Sequence, residues 1–129
     1  MKRIIRNRCI YVLFLLFLIG CATTAAVQRG SVSQIKLQDG VFSDEYRKGP
    51  VKAVVEVEIK NNKILSVNIL SHRTMREHKA EAVIPDRIVQ SQSTDVDIVS
   101  GATYSSLAIM NAAQRAIDQS AEATISSDE

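Results

Sequence analysis

The sequence contains no tryptophan, only two histidines and only two cysteines, and both cysteines fall within the first 21 residues. Residues 22–129 therefore contain no thiol, which excludes a disulfide and any cysteine-based metal or redox centre from the body of the chain. With His72 and His78 as the only imidazoles, and no pair of histidines at ligand spacing, no metal site is expected. No phosphate-binding glycine loop and no strand-to-helix nucleophile elbow is present, so no catalytic residue is assigned. The net charge of +2 disguises a separation: four of the 16 basic residues, Lys2, Arg3, Arg6 and Arg8, stand at the extreme N-terminus. Residues 21–129 keep 12 basic against all 14 acidic residues, a net charge of −2, with no basic cluster. Such a surface lacks the electrostatic footprint for nucleic acid.

The basic start runs into one long apolar stretch, Ile10 to Ile19. It matches the roughly 7–15 residues of a signal-peptide core and falls short of the roughly 20 that span a bilayer. Leu18-Ile19-Gly20-Cys21 resembles the bacterial lipobox, which implies that residues 1–20 are removed and that Cys21 carries lipid. The expected protein is thus exported and lipid-anchored, on the cell membrane or an outer membrane, facing away from the cytoplasm. Residues 21–34 are small and polar without periodicity and read as a tether. Residues 35–119 hold the folded domain, and residues 120–129 read as a polar, frayed tail.

Within the domain, Val41 to Tyr46 reads as a first strand, followed by Gly49-Pro50. Val51, Ala53, Val55, Val57 and Ile59 alternate with mostly polar neighbours, the period of a strand with one buried face. Asn61-Asn62 suits a tight hairpin turn, and Ile64, Val67 and Ile69 continue the partner strand, with Leu65 and Leu70 outside the alternation. Residues 77–83 suggest a short helix, and Pro85 the first turn of another containing Ile88 and Val89. Val96 to Val99 reads as extended. A helix is predicted from about Tyr104 to Asp118, with Leu107, Met110, Ala113 and Ile117 on one face, widened by Ala108, Ala112 and Ala116. The expected fold is α+β: a curved antiparallel sheet with a central hairpin and a C-terminal helix packed on it.

The segment before that helix, Asp97-Ile98-Val99-Ser100-Gly101-Ala102-Thr103-Tyr104-Ser105-Ser106, resembles the flavinylation motif of the FMN-binding domain family. That family includes the covalent-flavin subunits of the sodium-pumping quinone reductase and of the Rnf electron-transfer complex. Asp97, Ser100, Gly101, Ala102, Thr103 and Ser105 match its pattern. Asp39-Gly40-Val41-Phe42, Tyr46, Gly49-Pro50-Val51, Ser71-His72, Ile84-Pro85, Ile88-Val89 and Gln92-Ser93 also follow in family-like order, so the resemblance runs from about Asp39 to Ile117. Two departures stand out. Asn61-Asn62 occupies a common Asp-Gly turn, and Thr74-Met75-Arg76 replaces a Pro-Gly after the histidine.

The resemblance implies FMN bound covalently, as a phosphoester on Thr103 formed by a separate flavin transferase. Physical chemistry accommodates this. Gly101 and Ala102 leave the Thr103 hydroxyl uncrowded, and a helix start favours a phosphodiester. The same residues also make an ordinary cap, with Ser100 or Thr103 at the N-cap. Other roles stay open on sequence alone. Asp97 is a capping carboxylate or a transferase contact. His72 is a strand-end polar residue or a contact to the isoalloxazine ring. Tyr104 packs on the flavin or on the surface. Ser105 and Ser106 bind phosphate or fill the first helical turn. The implied function is a membrane-tethered electron carrier that takes electrons from a membrane donor, rather than a stand-alone enzyme. The alternatives are a lipid-anchored binding or scaffold module without redox activity, and the flavin subunit of a multi-chain reductase.

Overall fold

The computed structural model describes Gly30, residues 35–75 and residues 78–127. The apolar run, Cys21 and most of the tether lie outside the described residues. No helix among the described residues is long and apolar enough to cross a membrane.

The elements follow the order β1 (Gly40–Lys48), β2 (Val51–Lys60), β3 (Lys63–Arg73), α1 (Ile84–Ser91) and α2 (Thr103–Ser127). The strands form one antiparallel sheet in the order β1-β2-β3. This is the expected α+β architecture, with the C-terminal helix packed on a curved sheet. The β1–β2 turn places Gly49 at a positive φ of 58°, and the β2–β3 turn places Asn61 and Asn62 at 52° and 60°. Positive φ at both central residues matches the right-handed twist of a two-residue hairpin, and asparagine tolerates it.

All five alternating residues of β2, from Val51 to Ile59, are buried. Their partner strand keeps pace only through two bulges. Val55 pairs with Ile69 and Val54 with Ser71, which leaves Leu70 over; Ile59 pairs with Ile64 and Glu58 with Ser66, which leaves Leu65 over. Both leucines are exposed. Each bulge inserts one unpaired residue, bends the strand and resets its parity. Ile64, Val67, Ile69 and His72 consequently line the same inner face, opposite Ile59, Val57, Val55 and Ala53.

Helix α2 lies against that face, and residues 108–114 of it are all buried. The sheet covers one side, and the segment from α1 to α2 covers another. Thr94 is wholly buried there, donating its hydroxyl to Gln114 Oε1. On β1, Asp44 meets Arg115 Nε at 3.4 Å and accepts from Gln119 Nε2 at 2.9 Å. Fully burying each Ile or Val side chain contributes about 1.5–3 kcal/mol, so the inner face of β2 and β3, with the helix residues packed on it, supplies much of the stability.

Two elements differ from the sequence expectation. The last helix does not stop near Asp118 but continues to Ser127, because Ser120 and Thr124 extend its buried side. Ser120 also clasps the entry of the domain: its carbonyl accepts the Gln38 N–H at 3.2 Å and its hydroxyl donates to the Gln38 carbonyl at 3.1 Å. The described residues from 78 to 83 form turns rather than a helix. Helix α1 starts with Pro85 in its first turn, as expected, and ends at Gln92, whose φ of 52° is left-handed.

Candidate functional site

Helix α2 begins at Thr103, so Ala102 stands at its N-cap, and the Ala102 carbonyl accepts the Ser106 N–H at 2.9 Å. Neither Ser100 nor Thr103 is the cap. An alanine side chain has no oxygen to offer the first-turn N–H groups, which Ser, Thr, Asp or Asn at this position would satisfy. The N–H groups of Thr103, Tyr104 and Ser105 are thus left for an outside acceptor, at the end of the helix where the backbone dipole is positive. The Thr103 side chain is exposed beside them.

The preceding loop is built to hold this arrangement. Gly101 has a φ of 78°, a left-handed conformation natural to glycine, and a Cβ there would meet no atom within 4 Å. The Ala102 N–H donates to the Val99 carbonyl at 3.0 Å. Ser106 locks the loop to the helix: its buried hydroxyl accepts the Val99 N–H at 3.0 Å and donates to the Ala102 carbonyl at 2.9 Å. Ser106 therefore positions the motif and does not face outward.

An open cleft of about 490 Å³ lies over Thr103. This is within the roughly 300–1,000 Å³ typical of small-molecule sites. Gly101, Ala102, Thr103, Tyr104 and Ser105 form one wall, Pro50 and Val51 a second, and Thr74 and Met75 a third. The Tyr104 ring packs over the β1–β2 turn, 3.6 Å from where a Gly49 Cβ would stand, and remains 56% exposed on its other side. Met75 is almost fully exposed, an apolar surface available to a flat ring. The cleft thus joins apolar walls to a helix start, which suits a ligand with an aromatic body and an anionic phosphate.

Five of the expected site residues come together here: Gly101, Ala102, Thr103, Tyr104 and Ser105. Three do not line the cleft. Ser100 and Asp97 are exposed on the approach to it, and Asp97 is engaged through its carbonyl, which accepts from Arg87 at 2.6 Å. His72 lies on the inner sheet face, its side chain only 1% exposed. Sequence reasoning missed Pro50, Val51, Thr74 and Met75 as walls. Gly49-Pro50 was visible as a turn, but nothing local says that a turn between β1 and β2 abuts the start of α2.

Around His72 a second cluster forms. His72 Nδ1 and His78 Nδ1 both contact Glu81 Oε1, and the imidazole rings meet edge-on with centroids 5.7 Å apart. Burial favours the neutral Glu81 carboxyl, but hydrogen bonds from His78 and His72 outweigh it and hold the group below the usual carboxylate value. The two imidazoles are six residues apart, and only the turn at residues 78–81 brings them to one carboxylate.

The family model for the FMN-binding domain matches residues 47–118. An uncharacterised protein of Treponema pallidum (strain Nichols) is 33% identical over 99 residues, which is 75% of this chain; the chain spans only 27% of that relative's length. The crystal structure of the CPE2226 protein of Clostridium perfringens superposes with a TM-score of 0.56 at 19% identity, covering 68% of this chain and 92% of that one, a likeness of fold.

Proposed function

This chain belongs to the FMN-binding domain family, and we propose from that premise that it carries FMN as a phosphoester on Thr103 and serves as a tethered electron carrier. The observation that carries the proposal is the exposed Thr103 hydroxyl at a helix start whose N-cap, Ala102, has no capping oxygen, under a cleft of about 490 Å³. Attachment requires the hydroxyl to lose its proton as its oxygen bonds to phosphorus and a leaving group departs from the flavin donor. Nothing crowds that oxygen from Gly101. The first-turn N–H groups of α2 would hold the phosphate, and Tyr104, Met75 and Pro50 would flank the ring. When bound, the flavin supplies the redox chemistry; the protein supplies attachment, orientation and the environment of the ring.

The remaining parts of the proposal rest on the sequence. A flavin transferase acts in trans, Cys21 anchors the chain by lipid outside the cytoplasm, and a membrane donor provides electrons. A tethered cofactor cannot diffuse away, which suits a compartment with little free flavin.

Co-production with a flavin transferase tests this directly. The wild-type chain is expected to show flavin fluorescence that survives denaturing electrophoresis, and mass spectrometry should place the added mass on the peptide holding Thr103. Thr103→Ser should retain the label and Thr103→Ala should lose it. Label on Thr103→Ala would place the attachment elsewhere, and a wild-type chain that never gains label would end the carrier proposal.

A further inference from the structure

We propose that His72, His78 and Glu81 form a binding site for one divalent transition-metal ion, with Zn²⁺ the best match. Three potential ligand atoms, one from each residue, lie within 4.8 Å of one another. They come from two separate places, the end of β3 and the turn before α1, and they converge on one point. Their chemistry is selective: two imidazole nitrogens and one carboxylate oxygen suit zinc and its neighbours, whereas calcium and magnesium prefer all-oxygen sets. Three protein ligands leave a fourth position of a tetrahedral ion open to water or another ligand.

A purely hydrogen-bonded account of the cluster is incomplete. Both imidazoles would have to direct an N–H at the same Glu81 oxygen. His72 would then be a nearly wholly buried ring whose one hydrogen bond shares its acceptor with an exposed imidazole. Sharing one carboxylate oxygen with a second imidazole is weak compensation for burying His72; a divalent cation at the focus of the three groups is strong compensation.

The sheet geometry supports the same assignment. Without the bulge at Leu70, the parity of β3 would turn His72 to the outer face, away from Glu81. With it, His72 stands on the inner face opposite Ala53. His72 and His78 also bracket the connection whose Thr74 and Met75 form one wall of the cleft. An ion held by both would clip that connection at its two ends, fixing the wall beside Thr103. Sequence reasoning counted imidazoles and overlooked the histidine and carboxylate three positions apart at His78 and Glu81. The inference does not depend on flavin attachment.

The test uses the full-length chain, purified in detergent without a histidine tag, stripped with a chelator, and titrated with Zn²⁺ by calorimetry and with Co²⁺ by visible absorption. One ion per chain is expected, with the d–d bands of nitrogen- and oxygen-ligated Co²⁺. Zn²⁺ should raise the thermal midpoint of the wild type. His78→Gln and Glu81→Gln each replace a side chain outside the main core and should fold without metal, as circular dichroism would show. Each should weaken binding by roughly tenfold or more and abolish the thermal shift. Absence of saturable binding at one ion per chain overturns the proposal. So does binding that survives both variants unchanged, which would place the ion elsewhere.

Discussion

The Ser106 hydroxyl spans from the Val99 N–H, at 3.0 Å, to the Ala102 carbonyl, at 2.9 Å, and so ties the loop before α2 to the helix's own first turn. Ser106→Ala leaves the Val99 N–H without this acceptor and frees the loop. A loss of about 1–2 kcal/mol in urea unfolding is expected, together with faster amide exchange at Val99. Unchanged exchange there would mean that the backbone turn alone holds the loop.

Gly101 makes a complementary case. Its φ of 78° is left-handed, yet a methyl group there meets nothing within 4 Å. Gly101→Ala should cost only the backbone term, roughly 1–2 kcal/mol, without a steric penalty. A much larger loss in denaturant unfolding would reveal a contact in this loop that the fold does not show.

Gln92 reads the backbone of β3 with its side chain. Its Oε1 accepts the Ile64 N–H at 2.8 Å and its Nε2 donates to the Ile64 carbonyl at 2.9 Å, as a neighbouring strand would. Gln92→Ala leaves both groups unmatched beside a buried isoleucine and retains the strained φ of 52°. A destabilisation of about 2–3 kcal/mol is expected. Gln92→Gly relieves the strain and should fall less far, so the difference between the two variants in thermal unfolding isolates the backbone contribution.

Removal of residues 120–129 tests the end of α2. If these residues were a frayed tail, their loss would leave stability unchanged. Ser120 and Thr124 are buried, and Ser120 makes two hydrogen bonds to Gln38. With each hydrogen bond contributing about 1 kcal/mol and packing adding to it, truncation should lower stability by about 2 kcal/mol or more, visible as a lower melting temperature.

Much of this fold was legible because it rests on local rules. The alternation in β2, the Asn61-Asn62 turn and the apolar face around Met110 each follow from the period of one element. The rest depends on tertiary partners. Leu65 and Leu70 broke the alternation of β3, but only pairing with β2 shows that they are bulge residues. Ser120 and Thr124 read as tail because they are polar, and only their contacts draw them into the helix. The site divides in the same way. The loop from Gly101 to Ser105 is contiguous and was found whole. The walls at Pro50 and Met75, and the meeting of His72 with Glu81, are made by distant segments and carry no local signal. Ser105 and Ser106 look alike in sequence and are both buried, yet Ser105 lines the cleft and Ser106 ties the loop.

The clasp between Gln38 and Ser120 gives the domain two distinct poles. Ser120 lies 17 residues beyond Thr103 in the same helix, about 25 Å at 1.5 Å per residue. Gln38, just before β1, lies beside Ser120, while Thr103 sits at the other end of the helix. On the proposal that Thr103 carries the flavin, the attachment point and the clasp stand a helix length apart, so changes at Gln38 or Ser120 should alter stability and leave access to the cofactor as it was.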